Sequence, residues 1–267
     1  MLNSGYSRIS TESAHRGVQA HPCLRNIGSI QGAPLGSQVR GRFSTEAKLV
    51  EIIRSAWLLE RSARRESLIH SIAEFDCSFG IADLVFYSLR KDWQRHIALA
   101  QITPSWAFAL KALPYRKPFS VEAFAKWTGV SERRAQAALK EYESAGFCKA
   151  LSGSMWRKQF QPHEVVSSIV AIEAKLRDWK QALSQAYRYL DYATQAWVVL
   201  DHAHSAAAVR HIAQFERLNV GLASVDLRGQ VVVHSTPMSK SPRSELKLWE
   251  ANAMIAHAQS GESVRQA

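Results

Sequence analysis

The sequence predicts an α/β protein, a mixed sheet flanked by helices, with a small helix-rich module inserted into it. Three observations carry that prediction. Apolar residues recur with a period that switches between about 3.6 and 2 along the chain, as alternating helices and strands require. Val165 to Ala174 is almost unbroken β-branched and apolar sequence, the pattern of a strand covered on both faces. Between about Gln101 and Phe160 the pattern gives way to short capped helices and a basic hairpin.

Residues 1 to 42 are rich in Ser, Gly, Arg and His, carry Glu12 as their acid, and show no sustained period; they are expected to be disordered. An Arg- and Ser-rich, acid-poor leader also fits an organelle transit peptide, although it lacks a signal-peptide apolar core. From Thr45, the spacing of Leu49, Ile52, Ile53, Ala56 and Trp57 predicts an amphipathic helix capped by Ser44 or Thr45 and ending before Ser67. Leu68 to Phe75 and Ile81 to Leu89 read as an antiparallel hairpin with Gly80 in its turn, which places Asp83 on the second strand. These elements form the first part of the body, residues 43–98.

The insertion is assigned to residues 99–162. Ser105 to Leu113 is a helix stopped by Pro114; Ser120 caps a second, Val121 to Trp127, closed by Thr128-Gly129; a third starts at Ser131. In the third, Ala135, Ala138, Leu139 and Tyr142 fall on one inward face, and Arg133, Arg134, Gln136 and Lys140 point elsewhere. Phe147 to Leu151 and Met155 to Phe160 make a hairpin around Ser152-Gly153-Ser154, carrying Lys149, Arg157 and Lys158. Together these elements resemble a winged helix built on a helix-turn-helix. The body resumes over 163–260 with the buried strand, a helix from Asp178 to Ala193, a strand Ala196 to Leu200 and a helix Ala206 to Leu218. A hairpin about Arg228-Gly229 and a last helix, Ser244 to Gln259, packed on the outside, complete it.

Composition narrows what such a protein does. The 267 residues, 46% hydrophobic, suffice for one or two domains with a sizeable core. A formal charge of +11 and a pI near 9.8 favour a polyanionic partner such as nucleic acid over an acidic protein or a neutral metabolite. No apolar run approaches the roughly 18 residues of a bilayer span, so no membrane partner is expected. Cys23, Cys77 and Cys148 are too few and too scattered for a disulfide framework or a cysteine zinc site, which fits a reducing cytoplasm.

At the exit of the buried strand, Ile172-Glu173-Ala174-Lys175 sends Glu173 and Lys175 to one side of the sheet. Burying an acid and an amine there is costly unless they pair or bind an ion, so a strand-end salt bridge and an ion site are the two readings. Asp83, alone among apolar residues on a neighbouring strand, favours the second. Two carboxylates from adjacent strands suit Mg²⁺, which takes one or two carboxylates and keeps its remaining positions for water and phosphate oxygens. The lysine would then hold or activate a water and offset charge developing on phosphorus. The helix from Asp178 adds Gln185 and Tyr189 on one face.

An isolated Asp, then Glu-x-Lys ending a strand, then Gln-x-x-x-Tyr on a helix resembles the PD-(D/E)XK, restriction-endonuclease-like superfamily of nucleases. The resemblance spans residues 44–93 and 163–200. It implies a core of helix, three strands, helix and strand. It also implies a metal-dependent endonuclease acting on DNA, with Mg²⁺ or Mn²⁺ held by Asp83 and Glu173, Lys175 as catalytic lysine, and Gln185 orienting the site or the DNA backbone; Tyr189 is a weaker candidate. Ala82 stands where many members have proline. A first-helix glutamate often assists, and Glu46, Glu51 and Glu60 all compete for that role. Many such nucleases dimerise to cut both strands, though no heptad or exposed apolar stripe demands a homodimer here.

The winged-helix resemblance implies that the helix from Ser131 enters the major groove. Arg133, Arg134 and Gln136 would then read bases, while Lys140, Lys149, Arg157 and Lys158 would contact phosphate. Winged helices also bind proteins, and a DNA-binding regulator with a structural nuclease-like fold is the alternative function. His202, His204 and His211 lack an accompanying acid cluster and read as a loop rather than a zinc site. Trp127, Trp156, Trp179 and Trp197 read as packing residues. No Gly-rich phosphate loop, Gly-x-Ser-x-Gly elbow or Cys-His pairing is present, which argues against NTPase, serine hydrolase and thiol chemistry.

Overall fold

A computed structural model describes residues 41–63, 69–78 and 80–265; the expectation of disorder over residues 1 to 42 lies, but for its last two residues, outside them. The chain is a mixed α/β protein whose six-stranded sheet runs β1-β2-β6-β7-β8-β9 and is flanked by helices. After α1 (Glu46–Ala63) come β1 (Ile69–Asp76) and β2 (Ile81–Leu89), an antiparallel pair in which Gly80 takes φ +127° in the turn, a conformation side chains disfavour. β2 then pairs antiparallel with β6 (Val166–Lys175), and β6 pairs parallel with β7 (Gln195–Asp201) through the crossover helix α5 (Trp179–Tyr189). β8 (Gly221–Val225) extends the parallel part, and β9 (Val231–Ser235) closes the edge antiparallel.

Strand parity separates two cores. Leu84, Phe86, Ile172, Trp197 and Val199 face α1, whose Leu49, Ile53 and Trp57 cover them, with the Trp57 and Phe86 rings stacked at 5.1 Å. Val85, Tyr87, Ile169, Ala171, Val198 and Leu200 face the other way, onto α5 and a larger core. Gly221 is required at the start of β8, since a Cβ there would lie 2.3 Å from the Trp197 ring.

Between β2 and β6 lie a 3-10 helix (Trp93–Gln101), a short 3-10 turn (Pro104–Trp106) and α2 (Ala107–Ala112). β3 (Pro118–Ser120), α3 (Val121–Thr128), α4 (Glu132–Ser144), β4 (Cys148–Ala150) and β5 (Met155–Lys158) follow. The helix boundaries follow the capping signals: Ser120 Oγ accepts from the Ala123 amide, and Gly129 ends α3 left-handed at φ +69°. Ala135, Ala138, Leu139 and Tyr142 are the buried face of α4, as their spacing predicts. The hairpin is joined by β3, which the sequence reading missed, into a three-stranded antiparallel sheet ordered β3-β5-β4.

Four expectations are corrected. The last helix, α8 (Glu245–Arg265), is interior rather than peripheral: Trp249, Ala251, Ala253, Ile255 and Ala256 are buried. It packs against the 3-10 segments and α2 of the insertion. It also reaches the sheet, where Gln259 Nε2 donates to the Tyr87 hydroxyl at 3.0 Å. Burial on more than one side erases the single apolar stripe by which a surface helix is recognised. Ala206 to Leu218 is not one helix but two, α6 (Ala206–Val209) and α7 (Ile212–Leu218). At the break His211 donates from Nδ1 to the Ala207 carbonyl and stacks on Trp179 at 4.9 Å. Lys158 is wholly buried, its ammonium donating to the carbonyls of Leu110 and Lys111 at 3.1 and 2.9 Å, where it caps the end of α2 instead of facing phosphate. Trp127 is 52% exposed rather than a core residue, although its ring lies 6.0 Å from that of Phe124.

Asn252 of α8 holds the start of β6, its Oδ1 accepting from the amides of Val165 and Val166 at 2.9 and 3.2 Å. Asn252→Ala strands two buried N–H groups and is expected to cost about 1–3 kcal/mol each, read as a lower urea midpoint with an unchanged m-value. An unaltered midpoint would mean that α8 does not anchor β6.

Candidate active site

β2 and β6 run antiparallel with Leu84 opposite Ile172. One rung further on, Asp83 falls opposite Glu173, and residues so placed share a face with Cβ atoms about 5 Å apart. The ladder changes character there, because Asp83 Oδ2 accepts from the Ala174 amide at 2.7 Å, a side chain standing where a backbone partner would be. Two residues past Glu173, on the same face, Lys175 places its ammonium 3.2 Å from Glu173 Oε1. The same ammonium lies 3.1 Å from Glu46 Oε2, in the first turn of α1. Of the three competing glutamates, Glu46 is therefore the one brought to the site; Glu51 is exposed, and the side chain of Glu60 lies outside the described residues.

α5 supplies the remaining wall. The Tyr189 hydroxyl sits 2.6 Å from Glu173 Oε2 and 2.7 Å from the Ile81 carbonyl oxygen. It has one proton for two acceptors, so both contacts are satisfied together only when the Glu173 carboxyl carries a proton of its own. Gln185, expected as the polar residue of this helix, makes no hydrogen bond to the other three, and its Oε1 is a buried atom without a partner. Tyr189, ranked below Gln185 from the sequence, is the residue of α5 that touches the acid.

Burial dominates the electrostatics. Glu173 is 1% exposed, and desolvation raises its pKa above the ordinary carboxylate value; the Tyr189 hydrogen bond opposes this and the charge of Asp83 adds to it. Desolvation likewise raises Asp83, against the Ala174 hydrogen bond and the charge of Lys175. For Lys175 burial acts against the charge, yet Glu46, Glu173 and Asp83 outweigh it and hold the pKa above the usual lysine value. Lys175 is thus a fixed cation in this arrangement, suited to holding a water or balancing anionic charge rather than to taking a proton.

Three carboxylates thus surround one ammonium in a chain whose net charge is +11. Among the described residues no group of three or more His, Cys, Asp or Glu forms a ready-made metal cage. Asp83 and Glu173 are nonetheless a hard-oxygen pair of the kind Mg²⁺ or Mn²⁺ accepts, with raised pKa values that a nearby cation would relieve. The residue set fits such an ion.

On the insertion, Arg133, Arg134, Gln136 and Lys140 are exposed on α4, opposite its buried face. Lys149 is exposed and Arg157 half-buried, directly opposite each other on β4 and β5. Lys158 is removed from this set by its burial. Comparison with known proteins finds no matching family model, no similar curated protein and no similar solved structure.

Because Asp83 and Glu173 bind protons more tightly in the folded chain, their contribution to stability is full below the unfolded-state pKa and is lost as pH rises through the folded one. In metal-free protein at neutral pH, Glu173→Gln is expected to raise the urea midpoint. The gain should vanish as the pH falls to the ordinary carboxylate range of about 4. A midpoint lowered at neutral pH, with the loss disappearing near about pH 4, would show that the ionised carboxylate stabilises the fold instead.

Proposed function

We propose that this protein is a metal-dependent nuclease of the PD-(D/E)XK, restriction-endonuclease-like type, hydrolysing phosphodiester bonds of DNA and directed to it by a winged helix within residues 99–162. The observation that carries the proposal is the convergence of Asp83 and Glu173 from neighbouring strands, with Lys175 beside Glu173 and held by Glu46. The order α1, β1, β2, β6, α5, β7 supports it, being helix, three strands, helix and strand. Three helices on a three-stranded antiparallel sheet support the winged-helix reading.

In this reading Asp83 and Glu173 hold Mg²⁺ or Mn²⁺. Such an ion would supply Lewis-acid chemistry to the phosphoryl group and to the attacking water. Tyr189 holds one oxygen of Glu173 and the Ala174 amide one oxygen of Asp83, which fixes the orientation of the two carboxylates. The Lys175 ammonium orients the attacking water and offsets the charge that builds on the phosphate oxygens. Glu46 keeps that ammonium in place and charged.

Lys149 opposite Arg157 supports a polyanionic partner for the insertion. Like charges placed directly across an antiparallel pair repel, and among the described residues neither pairs with an acid. A phosphate backbone would turn that repulsion into attraction. Arg133, Arg134 and Gln136, near the start of α4, would reach base edges in the major groove in this reading.

Purified protein is expected to cut plasmid, duplex or branched DNA with Mg²⁺ or Mn²⁺ and not in EDTA. Glu173→Ala and Lys175→Ala should each lower cutting by at least about a hundredfold while DNA binding, read by gel shift, survives. Binding without cutting on any of these substrates in either metal would overturn the enzymatic reading and leave a DNA-binding regulator.

A further inference from the structure

The C-terminal edge of the parallel strands carries basic groups that the reaction centre does not use. Register places Lys175 opposite Leu200, and Leu200 opposite Ser224, so one row crosses β6, β7 and β8 on a single face. Neighbouring strands lie about 4.8 Å apart, which puts Ser224 roughly 10 Å along the row from Lys175. Beyond Leu200, Asp201 turns the chain into a 3-10 helix (His202–His204), its Oδ1 accepting from the Ala203 amide and its Oδ2 from the Phe43 amide. That turn aims its two imidazoles to either side of β7.

His204 leans back toward β6, where Arg177 Nε donates to its Nε2 at 3.3 Å. Arg177 is exposed, and no carboxylate among the described residues pairs with it. His202 leans the other way, its Nδ1 2.9 Å from Ser224 Oγ, which is in turn 2.9 Å from His234 Nε2. Ser224 is fully buried, so the central link of this chain is built into β8 rather than formed by chance on a surface. A hydroxyl has one proton to give and can accept another. With both rings neutral, His234 donates to Ser224, Ser224 donates to His202 Nδ1, and the exposed His202 presents an N–H at Nε2 to the outside.

A buried serine spanning two histidines fixes the direction of an outward donor, and an unpaired guanidinium stands on the other flank of the same turn. Resting on the nuclease reading above, we propose that Arg177 and His202, steadied by His204 and by Ser224 with His234, form a phosphate clamp. The clamp grips the nucleic-acid backbone next to the bond that is cut. The strand then runs along the sheet edge from Lys175 past the end of β7. Its recognition there is of phosphate alone and independent of base sequence.

The test is binding of the full-length protein, in EDTA, to a short fluorescein-labelled DNA duplex and to its single strand, read by anisotropy over a range of salt concentrations. Arg177→Ala and His202→Ala are each expected to weaken binding about tenfold at low salt; Arg177→Ala, which removes a cation, should also reduce the slope of log affinity against log salt by about one, whereas His202→Ala, which removes a neutral donor, should leave the slope unchanged. Arg177→Lys should restore the slope. Ser224→Ala, which leaves the His202 ring in place but frees it, should reproduce most of the His202 loss. In cleavage assays the same losses should fall on KM with kcat nearly kept. Wild-type protein that binds and cuts while the Arg177→Ala variant keeps the full salt slope, or the His202→Ala variant the full affinity, would overturn the clamp and leave the nuclease reading standing. Weaker binding accompanied by a lowered Tm, with the slope of the Arg177→Ala variant unchanged, would assign these residues a structural role and equally overturn it. Protein that neither binds nor cuts DNA would overturn both.

Discussion

Strand β6 enters the sheet held by Asn252 and leaves it at Lys175, paired with its antiparallel neighbour from Val166 to Ile172 and with its parallel neighbour from Val170 to Lys175. Every feature of the candidate site depends on that register. Sliding β2 by one residue against β6 would turn Asp83 to the face covered by Leu49, Ile53 and Trp57 of α1 and turn Leu84 and Phe86 away from it. Sliding β7 would move Leu200, and with it the histidine turn, out of line with Lys175. The registers are set by apolar residues whose side chains face one core or the other. The charged cluster is therefore positioned by hydrophobic packing that it does not itself contribute to, and its raised carboxyl pKa values are the local cost.

α8 joins the inserted module to the body. On one side it packs on the 3-10 segments and α2; His257 Nε2 donates to the Ile102 carbonyl at 3.0 Å. On the other it reaches the β1–β2 turn, where Ser78 Oγ donates to Glu250 at 2.5 Å and the buried Lys247 pairs with the same carboxylate. Cys77, beside that turn, has its thiol pushed up to about 12, first by burial and then by Glu250. It is an inert packing group rather than a nucleophile. The turn leads through Gly80 directly to Ile81, whose carbonyl receives Tyr189, and on to Asp83. One continuous run of packed and hydrogen-bonded groups thus extends from the insertion to the edge of the acidic cluster, and the larger core is shared between them.

What was legible in the sequence was what local periodicity governs. Parity placed Glu173 and Lys175 together because a strand has a period of two; the i, i+3, i+4, i+7 spacing found the buried face of α4; Ser120 and Gly129 marked the ends of α3. What was illegible depended on partners distant in the chain. Lys158 looks like any basic hairpin residue until the last carbonyls of α2 are brought beneath it. Glu46 could not be separated from Glu51 and Glu60, because the rotation of α1 against the sheet is decided by Leu49, Ile53 and Trp57 packing onto strands far along the chain. The interior position of α8 left no single stripe to read. Its alanines and the polar Asn252 and Gln259 make sense only once close approach on several sides is known.

On the proposed nuclease reading, the placement of charge would couple partner binding to chemistry. A net charge of +11 draws a polyanion to the surface over distances of about a Debye length, roughly 8–10 Å at moderate salt, and does so without selectivity. The carboxylates of Glu46, Asp83 and Glu173 would repel the same polyanion at contact range. Lys175 offsets one of their charges, and burial raises the pKa of Asp83 and Glu173, which lessens the rest. A divalent cation would reverse the sign of the site and turn repulsion into attraction at the point where phosphate must be held. The basic row of Lys175, Arg177 and the His202 turn lies along the sheet edge beside that point, so a backbone drawn in by the general field meets donors on one side of the acids before it meets the acids themselves. Sequence-independent charge would then bring the polymer, the edge of the sheet would align it, and the metal-binding pair would act only where alignment and cation coincide.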